Sequence, residues 1–250
     1  MSEILKDRAV ILRSFDFGES SMIAVSLTRE HGKLRLLAKG ARNGRSPFHA
    51  GLRTGNMAEI VYYNKPQRGL QLLKEIDSRS LFDTGAGDME RVCIFQAGLE
   101  VMDRTTIEHE SERGAFDAIE DFIGAIGSCE DPWVLFFALQ TRLACIAGVL
   151  PDLEECGMCK KALAGKGMNI DPSSGAVLCE ECARGPALAL SAGSGDLLRA
   201  LREDGPAGRG TGVCDGARRR EIGRLLHNLF LHHFDGYRLP NALKMIKGVD

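Results

Sequence analysis

The stretch Ser21-Met-Ile-Ala-Val-Ser-Leu-Thr-Arg-Glu-His-Gly-Lys-Leu-Arg-Leu-Leu-Ala-Lys39 decides the fold of the first third of the chain. In its first half Ile23, Val25 and Leu27 alternate with Ala24 and Ser26. In its second half Leu34, Leu36 and Ala38 alternate with Lys33, Arg35 and Lys39. A period of two is that of a strand, because successive side chains leave opposite faces. Glu30-His-Gly-Lys33 between the halves reads as a tight turn.

Outward from this hairpin the pattern repeats. Residues 9–15 form another β-branched, apolar run. Ala58, Ile60 and Tyr62 make the inward face of a fourth strand, and Leu70, Leu72 and Ile76 that of a fifth. The breakers fall at 16–19, 40–55 and 64–69. Five such short strands leave edges that closure removes, so a small closed barrel is expected, with the OB-fold as its natural type.

From Asp88 the period becomes helical. Val92, Phe95, Leu99 and Met102 recur at three- and four-residue steps, as do Phe116, Ile119, Phe122, Ile123 and Ile126. Asp131-Pro132 reads as an N-cap followed by proline at the first helical position, opening a helix to about 148. Further helices are expected at 194–202 and 218–234, and a mobile glycine-rich loop at 205–216. On the last helix Ile222, Leu225, Leu226, Leu229, Phe230 and His233 form one apolar stripe. The fold class is therefore α+β and multidomain. A barrel is expected over 1–80, then a helical domain over 81–250 interrupted by a cysteine-rich insert at about 154–186.

That insert carries the most specific local signal. Cys156-Gly-Met-Cys159 and Cys179-Glu-Glu-Cys182 are two pairs of Cys-x-x-Cys, in the spacing range of a four-cysteine zinc site. Four thiolates close the tetrahedral shell, so one structural Zn2+ is expected, in a zinc-ribbon-like module. Gly157 permits a tight knuckle, Lys160 and Lys161 ease the thiolate charge, and the Asp171-Pro-Ser-Ser-Gly175 turn closes a small hairpin. A redox dithiol is the competing reading, weakened by the presence of two pairs. Cys93, Cys129 and Cys145 read as packed thiols and Cys214 as exposed.

The chain has 250 residues and a formal net charge of −2, which hides an asymmetry. Residues 1–80 hold 14 Lys and Arg against 8 Asp and Glu, while 81–131 hold 13 acids against three arginines. Between His31 and Ala58 there is no acid, but there are Lys33, Arg35, Lys39, Arg42, Arg45 and Arg53. A segregated field suggests a polyanion partner for the barrel. A solvated basic face balanced by an acidic one is the competing account.

Binding of the polyanion is expected through Lys33, Arg35, Lys39, Arg42 and Arg45, with 40–55 as a flexible loop carrying part of the patch. Ser20 to Lys39 contains no aromatic residue on which bases would stack. A second basic cluster, Arg218, Arg219, Arg220 and Arg224, sits at a helix start where the dipole disfavours cations, and so invites an anionic contact.

No phosphate-binding loop, dinucleotide fingerprint or nucleophile elbow is present, and no nucleophile is assembled with a base. The chain is accordingly expected not to be an enzyme. No apolar run reaches membrane-spanning length and the first residues lack a signal-peptide core, so a cytoplasmic location without membrane contact is expected. Arg142 is the one ionised side chain between Asp131 and Asp152, in an otherwise apolar helix. It reads either as half of an internal salt bridge to the acids of 81–131 or as a carboxylate receptor for a partner peptide.

Several segments resemble the bacterial recombination mediator RecO family. They are Ala9-Val-Ile-Leu-Arg-Ser-Phe-Asp-Phe-Gly-Glu-Ser20, Leu27-Thr-Arg-Glu-His-Gly-Lys33, Ala38-Lys-Gly-Ala-Arg42, Gly148-Val-Leu-Pro-Asp-Leu153, the four-cysteine insert and Leu231-His-His-Phe-Asp-Gly-Tyr-Arg238. The resemblance spans nearly the whole chain in the same order. It implies a non-enzymatic DNA-repair protein that binds single- and double-stranded DNA and anneals complementary strands. Its implied partners are RecR, in some settings RecF, and the acidic, Phe-ended tail of the single-strand-binding protein, with RecA loaded onto the coated strand. It implies a bacterial, nucleoid-associated location. The alternative from another class is a zinc-ribbon adaptor that binds only protein.

Overall fold

The computed structural model describes residues 3–65, 67–80, 88–171, 175–184, 187–204 and 214–246. Contacts divide the chain into two compact units, Met1–Gly127 and Ser128–Asp250.

The first unit opens with five strands: β1 Glu3–Phe17, β2 Ser21–Thr28, β3 Gly32–Ala38, β4 Met57–Asn64 and β5 Gln71–Arg79. Their pairing runs in a ring, β1-β2-β3-β5-β4 and back to β1, so the sheet closes into a barrel. All the ladders are antiparallel except β3–β5, which is parallel. Closure leaves no long unpaired edge. The interior is filled by Ala9, Ile11, Ala24, Leu34, Leu36, Ile60, Tyr62 and Leu73.

One expectation about which residues face inward is corrected. Along β5 it is Leu73, not Leu72, that enters the core. The register slips by one residue between Val61 and Tyr62 of β4, so that Glu75 and Leu73, but not Lys74, find partners. Such a bulge moves side chains to the other face, which is why Ile76 still packs inward. In β2 the small Ala24 faces the interior, opposite Leu36, while the larger Val25 and Leu27 are buried on the outer face.

The connection 40–55 is not a free loop. It contains a short helix, α1 Pro47–Gly51, and inserts Ala41 and Leu52 into the barrel core. The Asn56 side-chain amide donates to the carbonyls of Ala50 and Gly51 and holds the helix end down.

Helices α2 Met89–Thr105 and α3 Arg113–Ile126 belong to the barrel's unit. The expected division near residue 80 thus marks the change from strands to helices, whereas the contact boundary falls after Gly127. Asp88 caps α2 by accepting from the Arg91 N–H. Gly98 of α2 lies so close to the Phe122 ring of α3 that a Cβ there would sit 2.5 Å from it. Helix α2 also packs on β1.

The second unit is built on α4 Pro132–Ile146, buried over nearly all of its surface, with α5 Ala192–Asp204 and α6 Gly216–His233 packed on it. Asp131 caps α4 through the Trp133 N–H, as its sequence predicts. The insert forms a small antiparallel sheet in the order β7-β6-β8, from β6 Met168–Ile170, β7 Val177–Leu178 and β8 Leu188–Leu190. The expected hairpin is its β6–β7 pair, closed by Asp171 donating to the Ala176 carbonyl; residues 172–174 of the turn lie outside the described residues. The β8 strand carried no sequence signal.

Most of the expected glycine-rich loop, 205–213, also lies outside the described residues. Cys214 at its end is fully buried rather than exposed, because its N–H donates to Asp131. Cys145, expected to be packed, is exposed near the end of α4. His233 is exposed too; His227 is the histidine that packs inward, with its ring 5.7 Å from that of Tyr237.

Candidate nucleic-acid and metal sites

The acidic helices neutralise much of the barrel's basic charge. Arg8 pairs with Glu120, Arg29 with Asp117 and Glu120, and Arg13 with Asp103 at 2.6 Å. The segment after α2 lies along β3: the His109 N–H donates to the Lys33 carbonyl, and a Cβ on Gly32 would meet the Glu110 carbonyl oxygen at 2.2 Å. Gly32 also has φ +70°, a backbone region that L side chains rarely adopt. Both constraints explain glycine in the turn between β2 and β3.

This packing sorts the five expected DNA contacts. Lys33 is only 9% exposed, and its Nζ donates to the Asp103 carbonyl at 2.6 Å. Burial lowers its pKa, with Asp103 and Glu108 partly offsetting that. It is held inside the unit and is not available to a phosphate. Arg35 reaches the surface but pairs with Glu108 at 2.6 Å. Arg42 straps the β1–β2 turn, donating to the carbonyls of Gly18 and Glu19 and lying 3.2 Å from Asp16. Lys39 and Arg45 are exposed and have no ion-pair partner among the described residues. The five therefore do not form one patch of equivalent cations.

Four further cations of the same unit stand as Lys39 and Arg45 do, exposed and without an ion pair among the described residues: Arg53, Arg79, Lys65 and Arg68. The last two ride on the β4–β5 turn. Its shape is set by the buried Gln71, whose side chain accepts from the Lys65 N–H and donates to the carbonyls of Lys65 and Arg68. This turn lies beyond Glu59, outside the acid-free run of 31–58 that marks the basic segment in the sequence.

The four cysteines come together in the second unit. The sulfurs of Cys156, Cys159, Cys179 and Cys182 lie within 4.8 Å of one another, and those of Cys159 and Cys179 are 3.7 Å apart. A tetrahedron with metal–sulfur bonds of about 2.3 Å has edges of about 3.8 Å, so the geometry fits a four-thiolate ion. The knuckles are built to stabilise negative sulfur: the Cys179 N–H donates to the Cys156 sulfur, and backbone N–H groups, that of Cys159 first, hold the Cys156 thiol below its ordinary range. Cys182 is pushed the other way, chiefly by its hydrogen bond with Cys179.

The left-handed residue of the first knuckle is Lys160, φ +60°, rather than Gly157. Gly157 instead serves a close approach, its N–H donating to the Val177 carbonyl. Lys160 and Lys161 pair with Glu155 and Glu181. Arg199 of α5, almost fully buried, donates to the carbonyls of Leu153 and Leu163 and so fastens both ends of the first knuckle segment.

Two family models cover the chain. Recombination protein O N terminal matches residues 1–82, and Recombination protein O C terminal matches residues 86–241. The chain belongs to the RecO family. Among curated relatives it is similar to the DNA repair protein RecO of Anaeromyxobacter dehalogenans strain 2CP-C, 27% identical with 94% of this chain and 93% of the relative covered. Its namesake in Anaeromyxobacter sp. strain Fw109-5 is 28% identical over 96% of this chain and 94% of that one. That of Moorella thermoacetica is 25% identical over 73% and 67%. The chain is thus a RecO-family DNA repair protein, and no helix among its described residues is long and apolar enough to cross a membrane.

Three expected features of this RecO-family chain find different settings. Arg142 is half-buried on α4 and is not a free charge. Arg218 and Arg219 are engaged at the start of α6: Arg218 lies near Asp215, while Arg219 donates to the Cys214 carbonyl and stacks 5.5 Å above Trp133. Arg220 and Arg224 border a shallow surface cleft with Leu188 and Glu221.

Proposed function

We propose that this RecO-family chain is a non-enzymatic DNA-repair mediator whose barrel is an OB-fold that binds single- and double-stranded DNA. Five strands ringed as 1-2-3-5-4, with a short helix between β3 and β4, support the fold assignment. One observation carries the binding reading. The acidic helices neutralise Arg8, Arg13, Arg29, Lys33 and Arg35, yet leave Lys39, Arg45, Arg53, Lys65, Arg68 and Arg79 exposed without ion pairs among the described residues. Cations left uncompensated on the surface of a unit attract a polyanion.

Contacts of this kind are to phosphates, carry little sequence preference, and leave base edges free while screening strand repulsion. Annealing of complementary strands follows from that. Loading of RecA onto strands coated by single-strand-binding protein, with RecR and in some settings RecF, completes the role that the family implies, at the bacterial nucleoid. The acidic tail of the coating protein is a further partner in this reading, and Arg142 a candidate contact for it. One structural zinc closes the insert through Cys156, Cys159, Cys179 and Cys182, and leaves no open position for catalysis.

The test is anisotropy titration of labelled single-stranded DNA across salt concentrations, with wild type and a Lys39→Ala, Arg45→Ala variant. Log affinity is expected to fall with log salt by about 0.7 for each phosphate neutralised, and the variant's slope to be shallower by about 1.4. Binding that is absent at low salt, or identical in the variant, overturns this reading.

A further inference from the structure

We propose that Phe15 and Phe17 form a nucleobase-stacking platform on the outer face of the barrel, so that single strands are held by bases as well as by phosphates; this rests on the DNA-binding reading above. The ladders place the residues. On the outer face of β1, β2 and β3, Phe15 stands opposite Ile23, and Ile23 opposite Leu37. The row on one side is Arg13, Val25 and Arg35, and the row on the other is Phe17 and Ser21; Lys39 directly follows Ala38, the last residue of β3, which pairs with Met22 beside Ser21. An apolar row is thus flanked by cations.

At the Arg13 end the face is closed, because Asp103 and Glu108 engage Arg13 and Arg35. At the Phe17 end it is open: Phe15 is 42% and Phe17 50% exposed, whereas the neighbouring Ile23 is buried. Two exposed phenylalanines on alternate positions of one strand, about 7 Å apart along it, present their rings to solvent on the same side. Ile23, buried opposite Phe15, anchors this part of the sheet, and Arg42 fixes the turn that follows Phe17 by donating to the carbonyls of Gly18 and Glu19. The Arg13 guanidinium lies 5.6 Å from the Phe15 ring centre.

The occupant is identified by charge and by ring chemistry together. Lys39, exposed and without an ion pair among the described residues, follows the end of β3 on the side of the sheet where β1 ends in Phe17. A ligand with regularly spaced anions and flat π-faces satisfies both features, and single-stranded nucleic acid has that chemistry. Duplex DNA does not, because its bases are stacked on one another.

The experiment uses the full chain with three probes of equal length: oligo-dT, an abasic deoxyribose-phosphate strand, and a duplex. Wild type is expected to bind oligo-dT at least about tenfold more tightly than the abasic strand. In a Phe15→Ala, Phe17→Ala variant that advantage is expected to vanish, with abasic and duplex affinities and the salt slope unchanged. Since Phe15→Ala uncovers Ile23 and risks the fold, Phe17→Ala alone is the second variant, with Phe17→Trp expected to restore the advantage.

Equal affinity of wild type for oligo-dT and the abasic strand, or a Phe17→Ala variant with the full advantage retained, overturns the platform while the phosphate reading stands. Failure of wild type to bind any of the three probes overturns both.

Discussion

The ammonium of Lys33 donates to the backbone carbonyl of Asp103 at 2.6 Å and lies 3.6 Å from its carboxylate. A lysine in the most basic stretch of the chain is therefore a fastener between β3 and the end of α2. It shows what the acidic segment after residue 81 does: its carboxylates and carbonyls lie over barrel cations and hold the helices to the strands. Lys33→Ala is expected to lower stability by about 1–3 kcal/mol, as a buried carbonyl loses its donor, and to leave the salt slope of DNA binding unchanged. Urea denaturation beside the anisotropy titration checks both halves of that statement.

Gly32 answers to two constraints at once. Its φ of +70° disfavours any other residue, and an added Cβ would overlap the Glu110 carbonyl. Gly32→Ala is expected to cost at least about 2 kcal/mol. Gly18, with φ +61° and nothing near its Cβ position, is the control: Gly18→Ala meets backbone strain alone and is expected to cost less. Denaturant midpoints of the two variants give the comparison.

Asp131 holds two segments far apart in sequence. Its carboxylate accepts from the Trp133 N–H as the cap of α4 and from the buried Cys214 N–H before α6, with Arg219 nearby. Asp131→Ala removes a cap and orphans a buried donor, so a loss of about 2 kcal/mol or more is expected. Calorimetry should show the change in the second unit's transition; a shift within experimental error would count against the double role.

The four-cysteine cluster gives a separate readout. Wild-type protein is expected to carry one zinc per chain by elemental analysis, and Cys182→Ser to lose it. Ligand loss is expected to unfold the small sheet of β6, β7 and β8 while the barrel stays folded. Hydrogen exchange locates the change. A full complement of zinc in the Cys182→Ser protein would be incompatible with a four-thiolate site.

His227 should make the second unit acid-sensitive. Its Nδ1 is buried without a hydrogen-bond partner among the described residues, and burial lowers its pKa below the ordinary 6.5. Below that value the unfolded chain binds the proton more readily than the folded one, so stability falls as pH drops from 6.5 through the lowered folded value. Replacement by Phe is expected to flatten this part of the stability–pH curve, measured by denaturation at successive pH values.

Much of the fold is legible in local pattern. The alternation in 21–39 marks two strands, the three- and four-residue steps after Asp88 mark α2 and α3, and Asp131-Pro132 marks the start of α4. These signals are local because side-chain direction repeats with the backbone period. The bulge at Lys74 escaped, since one extra residue shifts the face without altering composition. Cys214 escaped as well, because its burial depends on Asp131, 83 residues earlier.

The cysteine cluster and the cationic patch differ in the same way. Spacing alone determined that Cys156, Cys159, Cys179 and Cys182 can meet, since each pair is joined by a short turn. Spacing also determined that 31–58 carries cations without acids. Only the tertiary structure decided which cations remain available, because ion pairing depends on what packs across the strand: Asp103 withdraws Lys33, Glu108 takes Arg35, and Lys39 and Arg45 keep their charge free for solvent. The same packing leaves Phe15 and Phe17 uncovered on the side of the sheet where Lys39 follows β3, an arrangement set by the register of three strands and absent from any one of them. Charge and side-chain type are written residue by residue, whereas availability is a property of neighbours that only folding supplies.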